Sequence, residues 1–304
     1  MTDPKRGPGS RVAAVVVDYH TGAVLADCVR SLHEDGVTAV LVVENGAPGG
    51  AGTALATAGL DVAVISPGRN LGYGGGANRG IAATAPSELV LVCNPDLHVH
   101  PGAVTRLVAA LDAHPRWAVV GPRILAPDGA VYPSVRRFPS MVDAAGHALL
   151  APVWPANPFS RRYRTPGGQA GADEAGSADW VSGACFLARR QALEELGGFD
   201  EAYFMFAEDM DLCWRAHRAG WDVGHEPAAV VTHAEGVARR RHPYRMLVAH
   251  HRSALRFAVR TSTGWRRVAL PLAAAVLGVR FVLAVAAVAG EARRERRASP
   301  RPAT

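Results

Sequence analysis

The chain has 304 residues, 49% hydrophobic and 20% charged, a globular composition able to bury one large core or two smaller ones. Lys plus Arg number 33 against 27 Asp plus Glu, a formal charge of +6, and much of the excess lies after residue 236, in Arg239, Arg240, Arg241 and an Arg-rich tail. Such a basic end suits an anionic membrane surface or a phosphate-bearing substrate, and without aromatic platforms or a reading helix nucleic acid is not expected as a partner.

The first ten residues, MTDPKRGPGS, lack the apolar stretch of a signal peptide and are expected to be disordered, so a cytoplasmic location follows. Arg11 to Asp18 (RVAAVVVD), Ala39 to Glu44 (AVLVVE) and Val62 to Ser66 (VAVIS) are short β-branched runs ending in polar loops, the pattern of buried parallel strands. Gly22 to Asp35 and Gly50 to Gly59 between them have helical composition. The alternation predicts an α/β fold with a Rossmann-like sheet. A fourth strand, Glu88 to Cys93, runs into Asn94-Pro95-Asp96. Ligands of such sheets gather at the carboxyl ends of the strands, where Asp18, Glu44 and Asp96 fall.

Pro101 to His114 predicts a helix with Pro in its first turn, followed by a strand at Trp117 to Val120 and a turn at Pro127-Asp128-Gly129. Ala151 to Ala178, rich in Pro, Gly, Arg and Ala, reads as a long surface loop. Order resumes at Asp179 to Arg189, then a short helix, Gly197-Gly198-Phe199-Asp200, and a second helix opening near Glu208. The four cysteines, Cys28, Cys93, Cys185 and Cys213, form no Cys-x-x-Cys pair and read as reduced, mostly buried thiols. Val268 to Ala289 is an apolar stretch of about 22 residues, nominally long enough for a bilayer core of roughly 30 Å. Pro271 and Arg280 argue against a simple span, and the flanking Arg266, Arg267, Arg293, Arg294, Arg296 and Arg297 fit a helix lying on the membrane interface. A core-packing terminal helix satisfies the same pattern.

Arg69 to Gly80 (RNLGYGGGANRG) predicts a glycine-rich loop entering a helix, where small residues let backbone approach a nucleotide and Asn70 and Asn78 offer amides. Gly72-x-Gly74-x-x-Ala77 is also a degenerate dinucleotide fingerprint, but that motif belongs after the first strand and this one follows the third. Asn94 and Asp96 present oxygen donors one residue apart, the chemistry a hard cation shares with substrate phosphates, although an Asn-Pro turn capping the next helix reads the same way. Glu208, Asp209 and Asp211 open a helix, whose N-terminus favours the ionised carboxylate that a general base requires. Acidic N-capping is the alternative, with Asp211 and Arg215 at ion-pair spacing. His233 ends a predicted strand, Ala228 to Thr232, and an imidazole there suits Mn²⁺ better than Mg²⁺. Spacing alone does not select it over His250 or His251.

Glu44-Asn45-Gly46, Asn70-Leu71-Gly72-Tyr73-Gly74, Asn94-Pro95-Asp96, Gly197-Gly198-Phe199-Asp200 and Glu208-Asp209-Met210-Asp211-Leu212, in that order, resemble the family 2 glycosyltransferases of GT-A fold. The resemblance covers roughly residues 11 to 236. It implies a nucleotide-sugar half at about 11–125, an acceptor and catalytic half at about 126–236, a helical membrane-associating region at 237–290 and a basic disordered tail at 291–304. It further implies a divalent cation, Mn²⁺ or Mg²⁺, held by Asp96 and His233, and Asp209 as catalytic base. Asp18, Glu44, Asn45, Arg69, Asn70, Gly72, Asn78, Asn94 and Asp96 would then line the donor site, and Trp180, Ser182, Gly183 and Glu208 the acceptor side. Glu44 stands where the family usually has Asp, and Asn94 replaces the first Asp of the common metal motif. Asp128 to Ser134, Trp154 to Pro158, Tyr203-Phe204-Met205 and Ala249 to Ser253 are similar to an actinobacterial rhamnosyltransferase branch of that family. That narrower likeness implies a dTDP-L-rhamnose donor, a polyprenyl-diphosphate-linked acceptor and peripheral attachment to the inner face of the cytoplasmic membrane. A galactofuranosyl or hexosyl donor, a nucleotide-binding protein without catalysis and a dinucleotide-dependent oxidoreductase are the competing expectations.

Overall fold

The computed structural model describes residues 11–46, 48–140, 143, 146–147, 150, 154–164, 174–234 and 243–298. The chain divides into two compact units, one of Met1–Phe138, Arg164–Phe204 and Glu208–Glu235, the other of Pro139–Tyr163, Met205–Ala207 and Gly236–Thr304. The first unit holds most of the domain expected over 11–236, and residues 139–163 and 205–207 fall in the second. Residues 205–207 join the C-terminal unit because Ser253 Oγ donates to the Met205 carbonyl at 2.9 Å and the Phe206 ring meets His250 edge-on.

The first unit is built on a mixed sheet. Strands β1 (Val12–Asp18), β2 (Ala39–Glu44), β3 (Ala63–Ile65) and β4 (Leu89–Cys93) are parallel, connected by helices α1 (Ala23–Glu34), α2 (Gly50–Thr57) and α3 (Gly72–Ala83). All seven residues of β1 are buried, and its side chains alternate between two cores. Val12, Ala14 and Val16 pack with Leu25, Val29 and Leu32 of α1, whereas Val15 and Val17 pack with Tyr73 and Ala77 of α3. A strand covered on both faces must be largely apolar, which explains its unbroken apolar run from Val12 to Val17.

The chain continues through β5 (Leu97–Val99), α4 (Ala103–Ala113), β6 (Trp117–Leu125), β7 (Val131–Tyr132) and β8 (Val135–Arg136). After α5 (Pro158–Arg164) come β9 (Gly176–Ala178), β10 (Trp180–Val181), β11 (Cys185–Arg189), α6 (Arg190–Leu196), α7 (Glu208–Arg218) and β12 (Asp222–His233). The sheet order is β3-β2-β1-β4-β11-β6-β12-β5, with β8 and β10 forming a separate ribbon. β11 inserts antiparallel between β4 and β6, so strands from either side of residue 125 share one sheet. The long loop expected over 151–178 is corrected. Asn157 caps α5, its Oδ1 accepting from Ser160 N at 2.8 Å with Pro158 at the first helical position, and β9 pairs with β12. Residues 151–153 and 165–173 of that stretch, the N-terminal ten and Arg239 to Arg241 lie outside the described residues.

The second unit contains α8 (Pro243–Thr261) and α9 (Leu270–Ala298). The helix passes the expected end at residue 290 and continues into the predicted tail, because Glu-Ala-Arg-Arg-Glu-Arg-Arg-Ala is made of good helix formers. Its apolar side chains are not packed as a core: Leu272 is 68% exposed, Val282 65% and Leu283 54%. The four cysteines are buried and unpaired.

Candidate active site

Asn94 and Asp96 leave the carboxyl end of β4 on the turn into β5. The register of β5 against β12 sets His233 opposite Leu97, and Ala234 N donates to the Asp96 carbonyl at 3.0 Å. His233 thereby arrives beside Asp96 across 137 residues of sequence, with Nε2 3.1 Å from Asp96 Oδ1 and 3.1 Å from Asn94 Nδ2. Both Asp96 and His233 are buried. Nε2 carries either one hydrogen or one lone pair, so it satisfies only one of those neighbours by hydrogen bonding, and Nδ1 is buried without a partner. A cation accepts both the carboxylate oxygen and the imidazole lone pair. Among the described residues no group of three His, Cys, Asp or Glu gathers around an ion position. A two-donor set fits a cation whose remaining positions are taken by substrate phosphates rather than a closed structural site.

The acidic cluster is sorted by its surroundings. Asp211 is fully buried and pairs with Arg215 Nε at 2.7 Å, while the Arg215 guanidinium also donates to the Leu196 and Gly198 carbonyls. Asp211 is structural, as its spacing predicted. Half-buried Asp209 accepts from Gly183 N through Oδ2 at 2.7 Å and from Met210 N through Oδ1 at 2.8 Å. Burial lifts its carboxyl above the ordinary carboxylate range, opposed by those two N–H groups and by the Arg136 charge. Glu208 is 6% exposed with Oε2 unpartnered. Burial first and the neighbouring Asp209 charge second push it up to about 8, which leaves it largely protonated at neutral pH. Burial thus acts upward on both adjacent carboxyls, and on Asp209 it is opposed by two backbone N–H groups. Immediately before them in the chain, Phe206 and Ala207 have φ of 69° and 64°, a left-handed backbone uncommon for residues other than glycine.

Gly183 connects this cluster to the strand ends. Asn94 N donates to the Ala184 carbonyl at 2.8 Å, and the Tyr73 hydroxyl donates to the Gly183 carbonyl. A Cβ on Gly183 would come within 3.0 Å of the Asp209 Cβ. The antiparallel insertion of β11 beside β4 therefore brings Gly183, and with it Asp209, to the carboxyl end that carries Asn94 and Asp96. Ser182 Oγ accepts from Ala184 N at 3.3 Å, and Ser182 N bonds the Ser134 carbonyl at 2.8 Å. Half-buried Trp180 donates its indole N–H to the Arg137 carbonyl at 3.0 Å.

On the predicted donor side, Asp18 is buried at the end of β1 and accepts from Thr21 N at 3.2 Å and from the Thr21 hydroxyl. Arg69 and Asn70 are exposed. In the glycine-rich segment the helix starts at Gly72, and several of its glycines pack closely on neighbouring elements. A Cβ at Gly80 would lie 2.3 Å from Val15 Cγ1, and one at Gly76 2.8 Å from Val17 Cγ1, so only glycine lets α3 lie this close to β1. Asn78 Nδ2 donates to the Phe199 carbonyl at 2.9 Å and its Oδ1 accepts from Phe199 N at 2.8 Å, bracing the Gly198-Phe199 turn. Asn45 clamps the loop before α3 by accepting from Leu71 N at 2.9 Å and donating to the Gly72 carbonyl at 2.7 Å. Glu44 caps α2, its oxygens accepting from Gly49 N at 2.7 Å and Ala51 N at 2.8 Å. The extra methylene relative to Asp gives it that reach.

Tyr73 and Arg136 were not singled out by sequence reasoning. Neither stands in a spacing that marks a function, since what matters is the strand opposite. Arg136 faces Trp180 across the β8–β10 ribbon, its guanidinium carbon 5.4 Å from the Trp180 ring centroid and 5.7 Å from that of Tyr132.

Comparison with known proteins gives a family. Residues 8–265 match the model described as "Glycosyltransferase like family 2". The chain is 38% identical over 268 residues, 84% of its length and 86% of the relative's, to the N-acetylglucosaminyl-diphospho-decaprenol L-rhamnosyltransferase of Mycobacterium tuberculosis. Among solved structures it is similar to a mannosyltransferase from Pyrobaculum calidifontis in complex with GDP-Man and Mn²⁺, with TM-score 0.55 and 16% identity over 93% of this chain and 79% of that one. It is also similar to GalNAc-T7 with UDP, GalNAc and Mn²⁺, with TM-score 0.55 and 15% identity over 74% of this chain and 43% of that one. At such identities the structural likeness speaks for the fold.

Proposed function

The chain belongs to glycosyltransferase family 2 and has the GT-A fold, and from that premise we propose that it transfers L-rhamnose from dTDP-β-L-rhamnose to a GlcNAc-diphosphoryl-polyprenol in synthesis of the arabinogalactan linker of a cell wall. The 38% identity to the mycobacterial rhamnosyltransferase over 84% of the chain carries this reading of donor and acceptor. The reaction is a single in-line displacement with inversion. An acceptor hydroxyl oxygen forms a bond to the anomeric carbon, the bond from that carbon to the nucleoside diphosphate breaks with its electron pair leaving on the diphosphate, and Asp209 takes the hydroxyl proton. The two N–H groups on Asp209 orient its carboxylate and leave each oxygen a second lone pair. Beside it, protonated Glu208 adds no second negative charge.

Asp96 and His233 would hold a divalent cation, Mn²⁺ or Mg²⁺, which neutralises charge on the departing diphosphate when bound. Asp18 and the Asn45-clamped loop at Asn70 to Gly72 form the donor side, with Arg69 exposed beside it; Trp180, Ser182 and Gly183 form the acceptor side. The exposed apolar residues of α9 and the arginines near its C-terminal end rest on the inner face of the cytoplasmic membrane, where a polyprenyl acceptor is found.

Incubation with dTDP-β-L-rhamnose and GlcNAc-diphosphoryl-decaprenol, with Mn²⁺, with Mg²⁺ and with chelator, tests donor, acceptor and metal together. Rhamnosylated lipid formed only with a divalent ion is the expected result. Product from another nucleotide sugar in preference to dTDP-rhamnose would overturn the donor assignment.

A further inference from the structure

We propose that Arg136 binds the diphosphate of the acceptor, an assignment that deepens the transfer reading above and rests on it. Its guanidinium is held flat by its surroundings. The Trp180 and Tyr132 rings lie within cation–π range, and Nε donates to the Pro133 carbonyl at 2.7 Å. The remaining N–H groups make one long contact, 3.5 Å to the Tyr132 hydroxyl, and among the described residues no carboxylate lies within ion-pair distance. A half-buried arginine fixed on one edge, with its other donors unspent and no anionic partner, is built to receive a planar set of phosphate oxygens.

Its position fits an acceptor in particular. Trp180, directly across the ribbon, is three residues before Gly183, whose N–H holds the catalytic Asp209, so no more than roughly 10 Å of chain separates the two points. One sugar ring spans from the hydroxyl that Asp209 deprotonates to the anomeric oxygen that bears the diphosphate. The donor diphosphate belongs at Asp96 and His233, reached from the other side of Gly183 through Ala184 and Asn94. The Arg136 charge also acts on the Asp209 carboxyl, as nearness to the reacting end requires.

The test compares kcat/KM for GlcNAc-diphosphoryl-decaprenol with that for an alkyl β-GlcNAc of matched chain length, in wild type, R136Q and R136K, with melting temperature and dTDP-rhamnose binding recorded for each. Wild type is expected to prefer the diphosphate acceptor, and R136Q to reduce that preference by about tenfold to a hundredfold, the worth of a hydrogen bond to a charged group. R136K, which keeps charge but loses the fork, should fall between them. Equal losses on both acceptors would assign Arg136 to bracing the ribbon and overturn the proposal, as would a wild-type preference surviving in both variants. Wild type transferring to neither acceptor would sink the transfer reading itself, and the role of Arg136 with it.

Discussion

Asp209 and Glu208 are adjacent in the chain and differ in environment. Asp209 receives two backbone N–H groups, whereas Glu208 Oε2 receives none. Asp209→Asn keeps the shape and removes the proton acceptor, so kcat should fall by about 10²- to 10⁴-fold with dTDP-rhamnose affinity changed little, measured by single-turnover transfer and by titration calorimetry. Near-normal turnover would reassign the base. Glu208 predicts a pH effect on stability. Its native value is raised from 4.5 to about 8, so between those values the folded chain holds a proton that the unfolded chain has lost. The stability present below the unfolded value is lost as pH rises through that window, by at most ~1.4 kcal/mol per pH unit. Glu208→Gln should flatten the fall in thermal midpoint between pH 5 and 8; an unchanged slope would show that Glu208 is not the group responsible. Their acidic type and helix-start position were legible in the sequence. Their different surroundings were not, because the Gly183 N–H that holds Asp209 is brought in from another element.

The composition of the glycine-rich stretch announced close approach of backbone, and within the fold Gly76 and Gly80 meet Val17 and Val15 of β1. Gly72 is the most demanding position, with φ +78° and a Cβ that would sit 2.0 Å from the Phe204 carbonyl oxygen. Gly72→Ala should cost about 2 kcal/mol or more and lower the thermal midpoint by about 4–8 °C. Donor KM should rise as well, since the loop clamped by Asn45 would shift. An alanine variant with wild-type melting would show that the loop relaxes freely. Strand identity and the parallel order of β1 to β4 followed from hydrophobic runs alone. The antiparallel entry of β11 and the register of β5 on β12 did not, since pairing between strands so far apart in sequence leaves no local periodicity.

For the whole molecule, the open question in the sequence was the apolar C-terminal stretch, which suited either a core helix or an interfacial one. Within Arg267–Gly290 only 6% of the most apolar window is buried, and Leu283 is 54% exposed. The intact protein should therefore sediment with vesicles containing phosphatidylglycerol more than with neutral phosphatidylcholine vesicles, and salt should weaken that difference. Leu283→Asp should lower binding to both without changing the melting temperature. Equal recovery in the supernatant with and without vesicles would remove the membrane reading.

The sequence by itself determined the α/β class, the strands whose ends carry the candidate site residues and the ordered blocks that mark the family, because burial on both faces demands continuous apolar runs and helix starts favour acids. Only the tertiary structure decided which of those residues meet. His233 reaches Asp96 through the β5–β12 register, Gly183 reaches Asp209 through the insertion of β11, and Arg136 reaches Trp180 across a two-stranded ribbon. Such meetings depend on hydrogen-bond pairing between distant strands, an energy shared by every backbone and so recorded in no single side chain.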